Sequence, residues 1–557
     1  MRYILTAAAL ILAAMPAAAA APPAAADMVI WGGPIYTAID AHPTAQAVAV
    51  TKGRIAFVGA RAGAAQRVGP RTQVIDLKGA ALFPGFTDSH AHLRGIGERE
   101  LILNLEGSTS AAEVAQRLKT YIAGHHPTGA VIGRGWIETG WPEHRFLERG
   151  DLDAVAPDIP VILTRADGHA LTANTAALKA AGINARTPAP EGGQILKGPD
   201  GQPTGMLVDN AKALVRALEP RETRERKVEA YRAAFRVETA YGWTGVHNMS
   251  VDWLDVPLLE EMAARGQAPL RVYNAVEADQ AEPLFKDGPR RDADGRITTR
   301  AIKIYMDGAL GSRGAALFEP YSDAPGNRGT FITPPEHIRP ILARALANGI
   351  QVSTHAIGDR GNAEILDLYG DALHAAAAPR GTVRWRVEHA QILRPADVSR
   401  FAQLGVIASM QPSHAIGDFH FAPARLGEAR LTGAYAWQSL LKSGAVVVGG
   451  SDAPVERGSP MIEFYAAVAR ADLKGFSGPD WHPEEKLSRQ QALKLFTASA
   501  AYARFAEDDL GTLSVGKRAD LTAFSADFMT VPVAEIPKAH AVMTIVDGKV
   551  VYRAAEQ

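Results

Sequence analysis

No cysteine occurs among the 557 residues. Disulfides, thiolate metal sites and a cysteine nucleophile are thereby excluded, and any metal has to rest on histidine, carboxylate or an oxygen built onto lysine. Charge of one sign is equally lacking: 59 Lys and Arg stand against 60 Asp and Glu, a formal net charge of −1. That balance offers no basic face for nucleic acid and no field to steer a charged partner. Long apolar runs are missing too, except at the start. The opening MRYILTAAALILAAMPAAAAAPPAAAD has a short positive start at Arg2 and an apolar run, Tyr3 to Met15, too short to span a bilayer. Small residues suited to cleavage follow at Ala17–Ala21. Residues 1–21 read as a signal peptide, so the mature chain is expected to be exported, to the periplasm in a Gram-negative cell, with no membrane contact once the leader is removed.

What is present has two textures. After the leader, MVIWGGPIYT, AQAVAVTKGRIAFVG and TQVIDLKGAAL are short β-rich runs split by Gly and Pro; GTLSVGKRADLTAF and AVMTIVDGKVVYR repeat that texture at the far end. Residues 28–84 and 507–557 are therefore expected to form one composite β-sandwich domain. Between them, apolar strands such as TRAIKIYMDG, NGIQVSTHAIGD, VRWRVEHAQ, GVIASMQPSH and AVVVGGSDAP alternate with helical stretches. One of these, PPEHIRPILARALANG, carries an apolar stripe at 338, 341, 342, 345 and 346. Strand–helix alternation on this scale predicts an α/β fold, a (β/α)8 TIM barrel, over residues 85–506. The stretch from about 108 to 232 breaks the alternation and reads as an insertion.

The polar residues of these units share one position. FPGFTDSHAH ends a strand in His90 and His92, which a period of two places on one face. Such a pair binds one metal ion or simply caps a strand end. Lys303, His355, His389 and Asp452 also lie at or near the C-terminal ends of their strands, and in a barrel those ends meet on one face. Four histidines and an aspartate exceed the needs of a mononuclear zinc site with an open position and suit two metals about 3.5–4 Å apart. Lys303 acts as a bridging ligand if carbamylated by CO2, or otherwise as a plain charge. Read singly, Asp452 could be a helix cap and Lys303 the partner of Asp307.

These motifs resemble the amidohydrolase superfamily, specifically the amidohydrolase family 3 branch that includes N-substituted formamide deformylase-like enzymes. The resemblance runs through FPGFTDSHAH, IKIYMDGALGSRGAAL, EPYSDAPGNRG, THAIGDRGN, RVEHAQI, GVIASMQPSHA, GGSDAPVE and GKRADLTAF. It implies a barrel with a composite β-domain and two divalent ions, zinc first with Mn, Fe or Ni also suited. His90, His92 and Asp452 would hold one ion, His355 and His389 the other, with a CO2-derived carbamate on Lys303 between them and Asp452 as proton shuttle. The implied activity is hydrolysis of a non-peptide C–N bond, in an amide, formamide or cyclic amide, by metal-activated hydroxide. An esterase, lactonase or carbamate hydrolase would use the same residues; a non-catalytic periplasmic metal- or ligand-binding protein is the third reading. The expected partner is a small-molecule substrate, with an oligomer left open. Trp136 and Glu138 in GRGWIETGW, His169 in DGHALTANTAAL and Arg313 in LGSRGAA are the candidate substrate-pocket residues; the alternatives are that Trp136 and Glu138 pack the insertion's own core and that Arg313 pairs with Asp307 or Glu319. His414 and His420 follow a strand near the mouth.

Overall fold

Eight strands recur through the middle of the chain: β1 (Phe86–Ala91), β2 (Trp243–Val251), β3 (Arg271–Glu277), β4 (Ile297–Tyr305), β5 (Gln351–Ala356), β6 (Arg386–His389), β7 (Ile407–Met410) and β8 (Val447–Gly449). Each pairs in parallel with the next. The computed structural model describes residues 23–555 other than 167, 169, 191, 192, 221, 479 and 480; the leader expected at 1–21 lies outside them. No ladder joins β8 back to β1. The circle closes instead through Asp88, whose Oδ1 accepts the Ser451 N–H at 2.9 Å and whose Oδ2 accepts the Ser451 hydroxyl at 2.5 Å. The Asp452 N–H adds a bond to the His90 carbonyl at 2.6 Å. The fold is an α/β (β/α)8 TIM barrel with added units. Helices such as Pro335–Ala347 cover it, burying Ile338, Leu342 and Ala345 from the apolar stripe. The segment RVYNAVE of β3 carries none of the motif residues, and its strand was not anticipated.

The chain ends share one eight-stranded sheet. Ala81–Pro84 pairs antiparallel with Leu521–Phe524, and Met28, Ile30 and Val48 pack in one core with Leu521, Met543 and Ile545. The sheet curls until the turns at Gly53 and Gly548 touch; a Cβ on Gly548 would come within 3.2 Å of the Gly53 Cα. It docks on the barrel through aromatic rings, Phe83 and Phe524 of the sheet meeting Phe86 of β1 edge-on at 6.0 and 5.3 Å. Between β1 and β2 a six-stranded sheet is inserted. It begins at Leu103–Asn104, ahead of the start expected near 108, because a two-residue strand leaves no periodic signal. Among the described residues no helix is long and apolar enough to cross a membrane.

Candidate metal centre

The strand ends bring the six residues expected to hold metal, His90, His92, Lys303, His355, His389 and Asp452, to one place. His90 and His389 rings lie 4.8 Å apart between centroids, His355 and His389 4.6 Å, and His90 and His92 5.6 Å. His92 Nε2 is 3.1 Å and His90 Nε2 3.4 Å from the same carboxylate oxygen, Asp452 Oδ1. Lys303 Nζ is 3.5 Å from His90 Nε2. Among the described residues, two groups of ligand atoms are close enough to hold a metal: His90, His92 and Asp452, and His389, His414 and Asp452. Two of these residues stand in left-handed backbone, His389 at φ 73° and Asp452 at φ 58°, a conformation that side-chain-bearing residues keep only where the surroundings impose it. Strict alternation would send His389 to the face opposite Glu388. The left-handed turn instead lets both reach His90.

Burial sets the protonation of this cluster. Desolvation holds His389 well below the usual imidazole range and lowers His92. His355 is pushed down to about 3, by burial first and then by the charge of Lys303. Neutral imidazoles keep the lone pair a metal requires. Burial also lowers Lys303, toward the uncharged amine. Desolvation opposes ionisation of Asp452, but the adjacent His90 and His92 imidazoles outweigh it and hold the carboxyl well below its ordinary range. Neutral nitrogens and an ionised carboxylate fit a divalent cation. The buried His414 Nε2, which has no hydrogen-bond partner among the described residues, points to the same polar centre, 3.5 Å from Asp452 Oδ2.

A supporting layer escaped the sequence reading. Glu388 Oε2 lies 2.7 Å from His90 Nδ1 and accepts from Arg386 Nη2 at 3.0 Å; His389 Nδ1 is 2.8 Å from Gln411 Oε1. Partners of this kind fix the tautomer and leave Nε2 aimed inward. Glu388 sits beside His389 in RVEHAQI, and its position next to a ligand was the available signal. Asp307 does not pair with Lys303. Its carboxylate takes the N–H groups of Ala316, Ile357 and Gly358 at 2.8–2.9 Å, tying together two loops at the barrel mouth.

The expected substrate-pocket residues are placed otherwise. Trp136 is wholly buried in the insertion's own core beside Trp141, its indole N–H donating to the Leu163 carbonyl at 2.9 Å; apolar packing claims it. Glu138 is held by Arg165 at 2.8 and 3.0 Å on the wall of an insertion cleft of about 430 Å3 that contains none of the six residues expected to hold metal. Arg313 is gripped by both oxygens of Asp323, at 3.0 and 2.8 Å, so its fork is already taken. His169 lies outside the described residues. His420 is exposed, near Asp472.

The amidohydrolase family model matches residues 73–552. A putative amidohydrolase, YtcJ, of Bacillus subtilis (strain 168) is 34% identical over 94% of this chain and 99% of its own. The N-substituted formamide deformylase of Arthrobacter pascens is 28% identical over 94% of this chain and 98% of its own. Among solved structures, an uncharacterized metal-dependent hydrolase from Pyrococcus horikoshii superposes with a TM-score of 0.74 at 26% identity, covering 91% of this chain and 99% of that one. A barrel with histidines and an aspartate gathered at its mouth, matched over nearly its whole length by these relatives, belongs to the amidohydrolase family and is a metal-dependent hydrolase.

Proposed function

We propose that this hydrolase cleaves a non-peptide C–N bond, in an amide, formamide or cyclic amide, at two divalent ions. The observation that carries the reading is the aim of His90 Nε2 and His92 Nε2 at one oxygen of Asp452, while His90 Nδ1 is tied behind to Glu388. His90, His92 and Asp452 would hold one ion and His355 and His389 the other. Lys303, desolvated and 3.5 Å from His90 Nε2, would join them as a carbamate. Zinc suits the donor set, as do Mn, Fe and Ni. When bound, the ions lower the pKa of water and polarise the carbonyl. Asp452 accepts the proton of the attacking water and delivers it to the leaving nitrogen. His414, beside Asp452 Oδ2 and 3.8 Å from Glu456 Oε1, offers the substrate a neutral imidazole. Resemblance to the Arthrobacter deformylase favours a formamide or related amide.

The test is elemental analysis of the purified protein beside turnover of N-formyl, N-acyl amino acid and aryl ester substrates, with Lys303→Ala in parallel. About two metals per chain, with amide turnover lost in the variant, supports the proposal. Turnover of esters alone would move the reading to an esterase or lactonase. One metal with activity surviving Lys303→Ala would end the carbamate bridge, and no turnover after reconstitution would leave a binding protein. The leader supports export to the periplasm; a mature N-terminus near Ala17–Ala21, read by mass spectrometry of secreted material, checks it.

A further inference from the structure

At the end of the barrel away from the metal centre, where β3 and β4 begin, lies a cavity of about 130 Å3. Six arginines line it, Arg271, Arg290, Arg291, Arg300, Arg504 and Arg518, against one carboxylate, Asp509. Four of the six have acidic partners. Arg271 pairs with Asp520 at 2.6 Å, Arg290 with Glu260 at 2.7 Å and Arg518 with Asp547 at 2.9 Å; Arg291 has Asp509 at 3.7 Å. The other two have none among the described residues. Arg504 is only 6% exposed, and its buried Nη1 makes no hydrogen bond. Its guanidinium carbon lies 5.7 Å from the centre of the Tyr273 ring. Arg300 stacks 3.7 Å over Phe505, with its buried Nε equally unsatisfied.

A guanidinium does not shed its proton to escape burial, and an uncompensated buried charge is strongly unfavourable. Burial and the neighbouring Arg271 push Arg504 down to about 10, a measure of that discomfort. We propose that this cavity binds a small tetrahedral oxyanion, inorganic phosphate or the phosphate group of a phosphomonoester, on Arg504 and Arg300. Planar forks match phosphate geometry, the volume admits one such group, and the two arginines without acidic partners leave the charge balance positive. The site is distinct from the metal centre: Lys303 stands three residues further along β4, roughly 10 Å away.

Calorimetric titration of inorganic phosphate and, separately, of glycerol phosphate into the full-length protein tests this, with metal-loaded and metal-stripped samples compared because a metal centre also attracts phosphate. One saturable site per chain is expected, present in both samples, weakening with salt. It should lose roughly tenfold or more in affinity in Arg504→Gln and again in Arg300→Gln, while His92→Ala leaves it unchanged. Tighter binding of phosphate assigns the free anion and tighter binding of the ester a phosphorylated metabolite; either supports the site. Arg300 packs against a ring at the cavity wall, so its variant reads binding even if Arg504→Gln fails to fold. Absence of binding, binding that disappears with the metal, or equal affinity in wild type and the folded arginine variants would overturn the proposal.

Discussion

His90 Nδ1 lies 2.7 Å from Glu388 Oε2, and neither side chain is exposed to solvent. Arg386, also fully buried, charges the other side of that carboxylate and holds it well below the ordinary range against its desolvation. His90 therefore carries its proton on Nδ1 and presents a bare Nε2 to the centre. Glu388→Gln should keep the fold but lower metal affinity and kcat/KM by roughly 10–100-fold, read by metal titration and steady-state kinetics. Glu388→Ala should also destabilise the protein, by about 3–5 kcal/mol, since it strands the Arg386 charge.

Asp307 provides a pH signature. Desolvation raises its carboxyl to about 7 from an ordinary value of 3.8, against three opposing backbone hydrogen bonds. Between those values the folded state holds a proton the unfolded state has released, so the stability linked to this group is complete below about pH 4 and falls as pH rises to about 7. Urea unfolding from pH 4 to 8 should show that decline, and Asp307→Asn should flatten it. The amide would also oppose a donor to a donor at one of the three N–H groups, a loss of about 1–3 kcal/mol. An unchanged slope in the variant would place the titration elsewhere.

Trp136 should behave as a packing residue. Trp136→Ala ought to cost about 3–5 kcal/mol of insertion stability, whereas Trp136→Phe should leave KM near wild type. A large KM effect from the phenylalanine variant with unaltered stability would return the ring to the substrate pocket.

Asp88 should matter for both stability and rate. Asp88→Ala leaves the Ser451 N–H and hydroxyl and the His90 N–H without their acceptor, each worth about 1–3 kcal/mol when buried. Since Ser451 precedes Asp452, loss of activity should accompany the lowered urea midpoint; a purely thermodynamic effect would show that Asp452 is held by other means.

Much of this was legible because barrels convert sequence position into spatial position. A histidine ending a parallel strand has one place to go, so His90 and His355 could be gathered from separate strands by counting. Supporting residues were less readable. Glu388 and Asp88 become meaningful only across strand neighbours, and His389 reaches the centre through a backbone turn that no side-chain pattern announces. The insertion misled most: Trp136 and Glu138 have the chemistry of a pocket, but their neighbours in space, Leu163 and Arg165, come from the next strand of the same sheet. Arg313 meets Asp323, which a loop rather than any strand period brings to it.

The joint between β1 and β8 has a further consequence. Every other neighbouring pair of barrel strands is zipped by a main-chain ladder; this one has only the Asp88 side chain and a few main-chain bonds beyond the strand ends, among them Asp452 N–H to the His90 carbonyl, and His90, His92 and Asp452 straddle it. A growing chain offers the two histidines early and the aspartate hundreds of residues later, so the donor set does not exist until the cylinder has shut. Whatever cation it takes up would act as a clasp on the weakest hoop of the barrel, and loading would mark the last act of folding rather than a step added to a finished protein.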